Sequence, residues 1–237
     1  MVLVKGGPFR WGAARINFSA TAPDGSDQPI RAAIYSLERL EEHAHSLAAE
    51  HRLSRDSRRG PGLSRRLSDN ARALLRAYRS IIAAVKDDRA ITPAAEWLAD
   101  NFYVAEEQLR QIQEDLPSGF YRRLPKLEAG FLAGYPRVFS LAWAFVAHTD
   151  SRFDPEALTH FVRAYQRTQP LTIGELWALP ITLRVVLVEN LRRLTERVVA
   201  AREERERADA LADGLLGLSN SGSGGRGPKS QIGRAHV

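Results

Sequence analysis

Apolar residues return at spacings of three and four in six stretches of the chain, the period of helices with one buried face. The first stretch runs from Pro29 to about His51. Ile34, Tyr35, Leu37, Leu40, Ala44 and Leu47 form one side, and Glu38, Arg39, Glu41 and Glu42 the other. Pro29 at a first helical position, with Asp27 as a cap before it, predicts where this helix begins. The pattern repeats over Leu63, Leu67, Ala71, Leu74, Tyr78, Ile81, Ile82 and Val85. Two such helices joined by a loop predict an antiparallel pair. Thr92-Pro93 opens a third helix, which carries Trp97, Leu98, Phe102, Ala105, Leu109 and Ile112 and ends at Leu116-Pro117. Arg137 to His148 reads as a short, largely buried helix. Asp154-Pro155 caps the fifth, in which Leu158, Phe161, Val162 and Tyr165 face inward up to Gln169.

The sixth stretch, Pro170 to Ala201, can bury the most apolar surface, and the rest of the chain is expected to pack on it. Leu176, Leu179, Leu183, Val186, Leu187, Asn190, Leu191, Leu194 and Val198 make the stripe, and Val185 and Val188 widen it until the middle is apolar nearly all round. Thr172 as N-cap, with Glu175 three residues on, makes a capping box. Glu175, Arg184 and Glu189 bracket an apolar run about half the roughly 20 residues that a bilayer demands, so burial in protein is the expected fate. Pro180 removes the bond to residue 176 and predicts a kink or break. From Ala201 onward, AREERERADALAD continues the helix as a charged, solvated rod.

These elements predict an all-α fold, a bundle of about six helices with a long C-terminal helix. The helical domain spans 29–212. Residues 1–28 lack a sustained period and are expected to be disordered, as is the Gly/Ser-rich tail 213–237. Ile232 to Val237 can be back-translated to resemble a common sequencing-library adapter whose next three bases are a stop codon, so the chain is expected to be a fragment. The interrupted, aromatic-rich segment between Pro117 and Pro136 predicts an irregular packed loop, the first place to seek function.

The absence of cysteine excludes disulfides and thiolate chemistry and fits a reducing compartment. A net charge of +6 and a pI near 10.0 raise the question of nucleic acid. The densest basic block, His51 to Arg66 with Arg52, Arg55, Arg58, Arg59, Arg65 and Arg66, lacks aromatics that could stack bases, so a solvated interhelical loop is favoured over a phosphate-binding patch, with an anionic membrane surface as a third candidate partner. A free-standing basic helical module that binds nucleic acid or another partner through this block is the alternative reading of the chain. His148, Asp150, Arg152, Asp154 and Glu156 crowd one turn and could serve acid and base roles. The plainer reading ends one helix at His148, caps the next with Asp154 and pairs Arg152 with Asp150. Glu175 beside Trp177 could suit a sugar, but a capping box accounts for the glutamate and a core position for the tryptophan. Arg184, amid apolar neighbours, requires a carboxylate from another helix or a path to the surface; Asp150, Asp154, Glu96 and Asp100 are its candidate partners. Phosphate loops, zinc-spaced ligands, H-E-x-x-H, G-x-S-x-G and a D-x-D pair are all missing from the sequence. No catalytic residue and no metal ligand can be named.

The strings ITPAAEWLADNFYVAEEQLRQIQEDLPSGFYRRLPKL, GYPRVFSLAWAFVAHTDSRFD and FVRAYQRTQPLTIGELWALPITLRVVLVENLRRL, in this order, resemble the N-terminal region of cyclic β-1,2-glucan synthases. These are very large bacterial inner-membrane glycosyltransferases. The resemblance covers roughly Ile30 to Val199, with Pro180 as a departure. It implies a parent that uses UDP-glucose to build and cyclise a β-1,2-glucan, with its membrane spans and transferase motifs downstream. The piece in hand would then be a non-catalytic helical region on the cytoplasmic side of the inner membrane. It would hold no cofactor and have the remainder of the synthase as its partner.

Overall fold

The computed structural model describes residues 28–54, 60, 62–115 and 118–215. Among them the chain is all-α, with seven helices: α1 (Leu37–Glu50), α2 (Leu63–Lys86), α3 (Pro93–Asp115), α4 (Ser118–Arg123), α5 (Arg137–His148), α6 (Pro155–Thr168) and α7 (Ile173–Leu215). The expected tails 1–28 and 213–237, the adapter-like residues and the helix stop at Leu116-Pro117 lie almost wholly outside the described residues.

α7 is the axis of the bundle. Its 43 residues rise about 65 Å at 1.5 Å per residue. α2, α3 and α5 all pack on it, and α2 also packs on α3. α2 reaches the stretch expected to be a solvated rod, where Arg202 is buried and donates to the carbonyl and hydroxyl oxygens of Ser80. Val185 and Val186 are completely buried in the apolar part of α7, and α5 lies beside them with Val138, Phe139 and Ala142 equally sealed. The capping box forms as expected: Thr172 Oγ1 accepts from Glu175 N (3.2 Å), and Glu175 Oε2 accepts from Thr172 N (2.9 Å). Pro180 does not break the helix, which is continuous through it. Both Pro180 and Leu176 are exposed, so water can reach the carbonyl that the missing N–H leaves free.

Three expectations are corrected. The first helix begins at Leu37, capped by Ser36, and not at Pro29. Residues 28–36 are not helical, and backbone partners elsewhere hold them: Ala32 N bonds Ala147 O and Tyr35 N bonds His148 O. Ile30 rather than Ile34 is the buried residue of this strap, and its N–H donates to the buried Asn190 side chain at 2.6 Å. Secondly, α1 packs on α6 and α2 packs on α7, so the first two helices are not partners. Helical spacing marks an apolar face but does not say which other face covers it. Thirdly, the segment 117–136 includes a helix, α4, whose Tyr121 is buried and donates to the carbonyl of Ala178.

The rest of that segment is pinned by backbone bonds, as a packed loop requires. Ser54 N donates to Lys126 O, Glu128 N to Arg52 O and Arg137 N to Pro125 O. Gly60 lies so close to it that an added Cβ would sit 2.1 Å from the carbonyl oxygen of Gly134, a contact only glycine permits.

Candidate functional site

Among the described residues, two clusters of buried charged side chains lie about 21 Å apart along α7 at the helical rise, with Lys126 and Arg202 buried outside them. The first centres on Arg137, the opening residue of α5, which Pro136 turns inward onto the start of α7. Its Nε and Nη2 donate to the two carboxylate oxygens of Glu175 at 2.8 and 2.6 Å, with side-chain exposures of 1% and 0%. Nη1 donates to Gln169 Oε1 (2.8 Å) and Nη2 also to Pro170 O (3.2 Å). A bidentate pair with the remaining donors satisfied is the arrangement that makes a buried guanidinium tolerable. Burial pushes the Arg137 guanidinium down, and Glu175 more than offsets this, so it is held firmly charged.

Tyr165, Gln169, His51 and Ser140 extend the cluster. Tyr165 OH donates to Gln169 Oε1 (3.0 Å), which leaves its oxygen to accept from His51 Nδ1 (2.8 Å). His51 Nε2 then accepts from Ser140 Oγ (3.2 Å), a pattern that needs the neutral imidazole. Burial, followed by the neighbouring Arg137 charge, lowers His51 from the ordinary 6.5 to about 4. The sign follows from proton counts: between pH 6.5 and 4 the unfolded chain binds a proton at His51 that the folded chain does not. Stability is therefore complete above pH 6.5, declines towards pH 4 and levels off below it. Because the ring is only partly buried, its share of the loss is about 2 kcal/mol. Urea unfolding midpoints of the parent and His51→Gln, compared from pH 7 to pH 4, are expected to converge as the pH falls; parallel curves would refute the assignment.

The second cluster surrounds Glu189 on α7. Its Oε1 accepts from Arg66 Nη2 (2.8 Å) and Arg193 Nε (3.0 Å), and its Oε2 from Arg66 Nε (3.0 Å) and Asn70 Nδ2 (2.7 Å). Arg192 approaches at 3.4 Å and also pairs with Glu196. Despite burial, the surrounding guanidiniums hold the Glu189 carboxyl below the usual range. Aromatic faces absorb the surplus positive charge. The Arg66 guanidinium carbon lies 5.4 to 5.9 Å from the ring centres of Tyr135, Phe139 and Trp143, and that of Arg193 lies 4.9 Å from Trp143. Arg193 Nη1 also donates to the carbonyl of Gln28 at 2.7 Å, tying the strap of residues 28–36 to the cluster.

The residues expected from the sequence are scattered. His148 ends α5, stacks on Tyr35 and meets Ala33 O at 2.8 Å. Asp150 forms a two-point ion pair with Arg31 at 2.9 Å, in place of the expected Arg152. Asp154 caps α6 through the N–H groups of Glu156 and Ala157, as expected. Asp150 and Asp154 are thus already engaged by an arginine and a helix end. Arg152 and Glu156 lie exposed on this turn. Trp177 is not a core residue: it is 78% exposed. Arg184 is half-exposed and pairs with Asp115 at 3.6 Å, not with any of the four acids named above, because the α7 face it occupies looks along the end of α3. In the basic block, Arg66 is a structural residue with its side chain 10% exposed, while Arg55, Arg58 and Arg59 lie outside the described residues. Among the described residues no group of three or more His, Cys, Asp or Glu could hold a metal ion, and no helix is long and apolar enough to cross a membrane.

Sequence reasoning missed Arg137, Arg66, Glu189 and Arg193. One signal was present: Glu189 lies among Val185, Val186, Val188 and Asn190, and a carboxylate there must be paired. No family model matches the chain. Over 152 residues, 64% of its length, it is 45% identical to the cyclic beta-(1,2)-glucan synthase NdvB of Rhizobium meliloti (strain 1021). The chain spans 5% of the length of that relative. It is therefore similar to a short part of a cyclic β-1,2-glucan synthase, the enzyme type whose family its sequence strings resemble.

Proposed function

We propose that residues 29–212 form the N-terminal helical, non-catalytic region of a cyclic β-1,2-glucan synthase. The 45% identity to such an enzyme over 152 residues carries this reading. The way the interior charges are used supports it. Arg137 and Glu175 are sealed and bonded to each other, Glu189 and Arg193 are sealed and bonded with the nearly buried Arg66, and Asp150 and Asp154 are occupied by Arg31 and a helix cap. Groups engaged in this way stabilise a scaffold and offer no free base or nucleophile to a substrate. Transfer of glucose from UDP-glucose and cyclisation of the glucan belong, in this proposal, to other parts of a longer polypeptide. That polypeptide is the partner of this domain and is held in the bacterial inner membrane, with the domain on its cytoplasmic side.

Incubating the protein with UDP-glucose and β-1,2-glucan oligosaccharides is expected to release no UDP and to leave glucan lengths unchanged by mass spectrometry. Exchanging the matching segment of the Rhizobium meliloti enzyme for this one is expected to preserve cyclic glucan output. Turnover by the isolated protein would overturn the non-catalytic assignment. A stable chimera that makes no glucan would overturn the placement in this enzyme class.

A further inference from the structure

Around the first turns of α7 an apolar face is left uncovered among the described residues. Ile173 and Trp177 are 77% and 78% exposed, and Leu176 and Phe120 are each 38% exposed. Ile173, Leu176, Trp177 and Pro180 stand at spacings of three and four, so they form one stripe on α7, opposite the buried Glu175, Ala178, Leu179 and Thr182. Phe120 of α4 continues the stripe, since its ring lies against Gly174, where an added Cβ would sit 3.6 Å from Cζ. The two helices therefore present a single surface. Large apolar side chains gathered at one spot on a protein surface mark an interaction site.

Two exposed arginines stand beside the face, and the exposed Asp115 at the end of α3 is paired with Arg184, one turn beyond Pro180. Arg123 lies one turn along α4 from Phe120 with Arg122 next to it, and both are exposed. Neither is paired with a carboxylate among the described residues. The acid at this end of α7, Glu175, is sealed and bonded to Arg137. We propose that this face docks on an anionic lipid surface, with Trp177, Ile173 and Phe120 entering the boundary between headgroups and acyl chains and Arg122 and Arg123 meeting headgroup phosphates. An indole with apolar neighbours suits that boundary, and guanidiniums lacking acidic partners suit a negative leaflet. An apolar protein groove would accept the aromatic residues but leave both guanidiniums to be paired or desolvated. The contact is peripheral, since no described helix can cross a bilayer. It is a property of this surface and does not depend on the glucan synthase reading.

The test is co-sedimentation of the protein with phosphatidylcholine vesicles, with and without phosphatidylglycerol, at low and moderate salt. Binding is expected only with phosphatidylglycerol present and should weaken as salt rises. Trp177→Ser with Ile173→Ser, and separately Arg122→Glu with Arg123→Glu, should each lower the partition coefficient by about tenfold or more. Both variants change exposed positions and should keep the parent's thermal melt, which circular dichroism verifies. Brominated lipid should quench the parent's tryptophan fluorescence more than that of Trp177→Phe. Absence of binding to anionic vesicles, or equal binding by both double variants, overturns the proposal. So does a dimer in sedimentation that Trp177→Ser dissociates, because the face then belongs to a second copy of the chain.

Discussion

Glu189→Ala is expected to destabilise the domain by about 3–5 kcal/mol, the cost of removing one partner from a buried ion pair. The whole stability of a domain this size is about 5–15 kcal/mol, so the loss is a large share of it. The alanine variant leaves Arg66 and Arg193, with side chains 10% and 1% exposed, facing each other without the carboxylate between them. Asn70 Nδ2, 3% exposed as a residue, loses its acceptor as well. Cation–π contacts with Trp143 and Phe139 remain, at about 0.5–2 kcal/mol each, and cannot replace the countercharge. The measurement is the urea unfolding midpoint with its slope. A second variant separates charge from packing: Glu189→Gln keeps an acceptor and the shape but not the charge, and should fall between the parent and alanine. An alanine variant within about 0.5 kcal/mol of the parent, the usual range for an ordinary surface change, would show that the arginines reach water and that this cluster does not hold α2 to α7.

The second large effect concerns Arg137 and Glu175, and it takes the form of a non-additive cycle. Glu175→Ala strands a guanidinium, unfastens the capping box and should again cost about 3–5 kcal/mol. Arg137→Met strands the carboxylate at a similar cost. Replacing both, as Arg137→Met with Glu175→Leu, removes the buried charges together and should be much milder than the sum of the single changes, since apolar replacements of buried pairs are often close to neutral. Thr172 then loses the acceptor for its N–H, so a residue of about 1 kcal/mol is expected to remain from the cap. Additive single effects would mean that the two side chains contribute separately, which their two-point contact at 2.6 and 2.8 Å argues against.

These two clusters explain why an all-α chain rich in arginine folds around one helix. α7 carries both acceptors, Glu175 and Glu189, and donors reach them from α5 and α2 as well as from Arg193 of α7 itself. Apolar burial drives the packing but is indifferent to rotation and register. Charged groups sealed inside tolerate only the arrangement that pairs them. The same helix shows its other face to water at Ile173 and Trp177, so the start of α7 both anchors the interior and supplies the exposed apolar stripe.

Local sequence was sufficient wherever the interacting groups lie within one helical turn. The period of three and four marked α2, α3, α5, α6 and α7. Thr172 with Glu175, and Asp154 before Pro155, specified two helix starts, because a cap bonds to backbone two or three residues away. The strings running from Ile91 to Leu194 also pointed to the glucan synthase family. What the sequence could not carry were choices between distant partners. α1 has an apolar face that α2 or α6 could cover, and α6 takes it. Residues 28–36 have a proline start and a helical spacing, yet they are not helical, since Ala147, His148 and Asn190 offer them backbone and side-chain partners more than 100 positions along the chain. Arg66 reads as one more residue of a solvated basic run until Glu189, 123 positions away, is placed against it. Arg184 reads as a buried charge until its side of α7 proves to face solvent and Asp115. A helix's period records that one side is apolar, and a capping residue records where the helix begins. Which charge is sealed and which is wet depends on the faces that come together in three dimensions, and that was decided only by the tertiary structure.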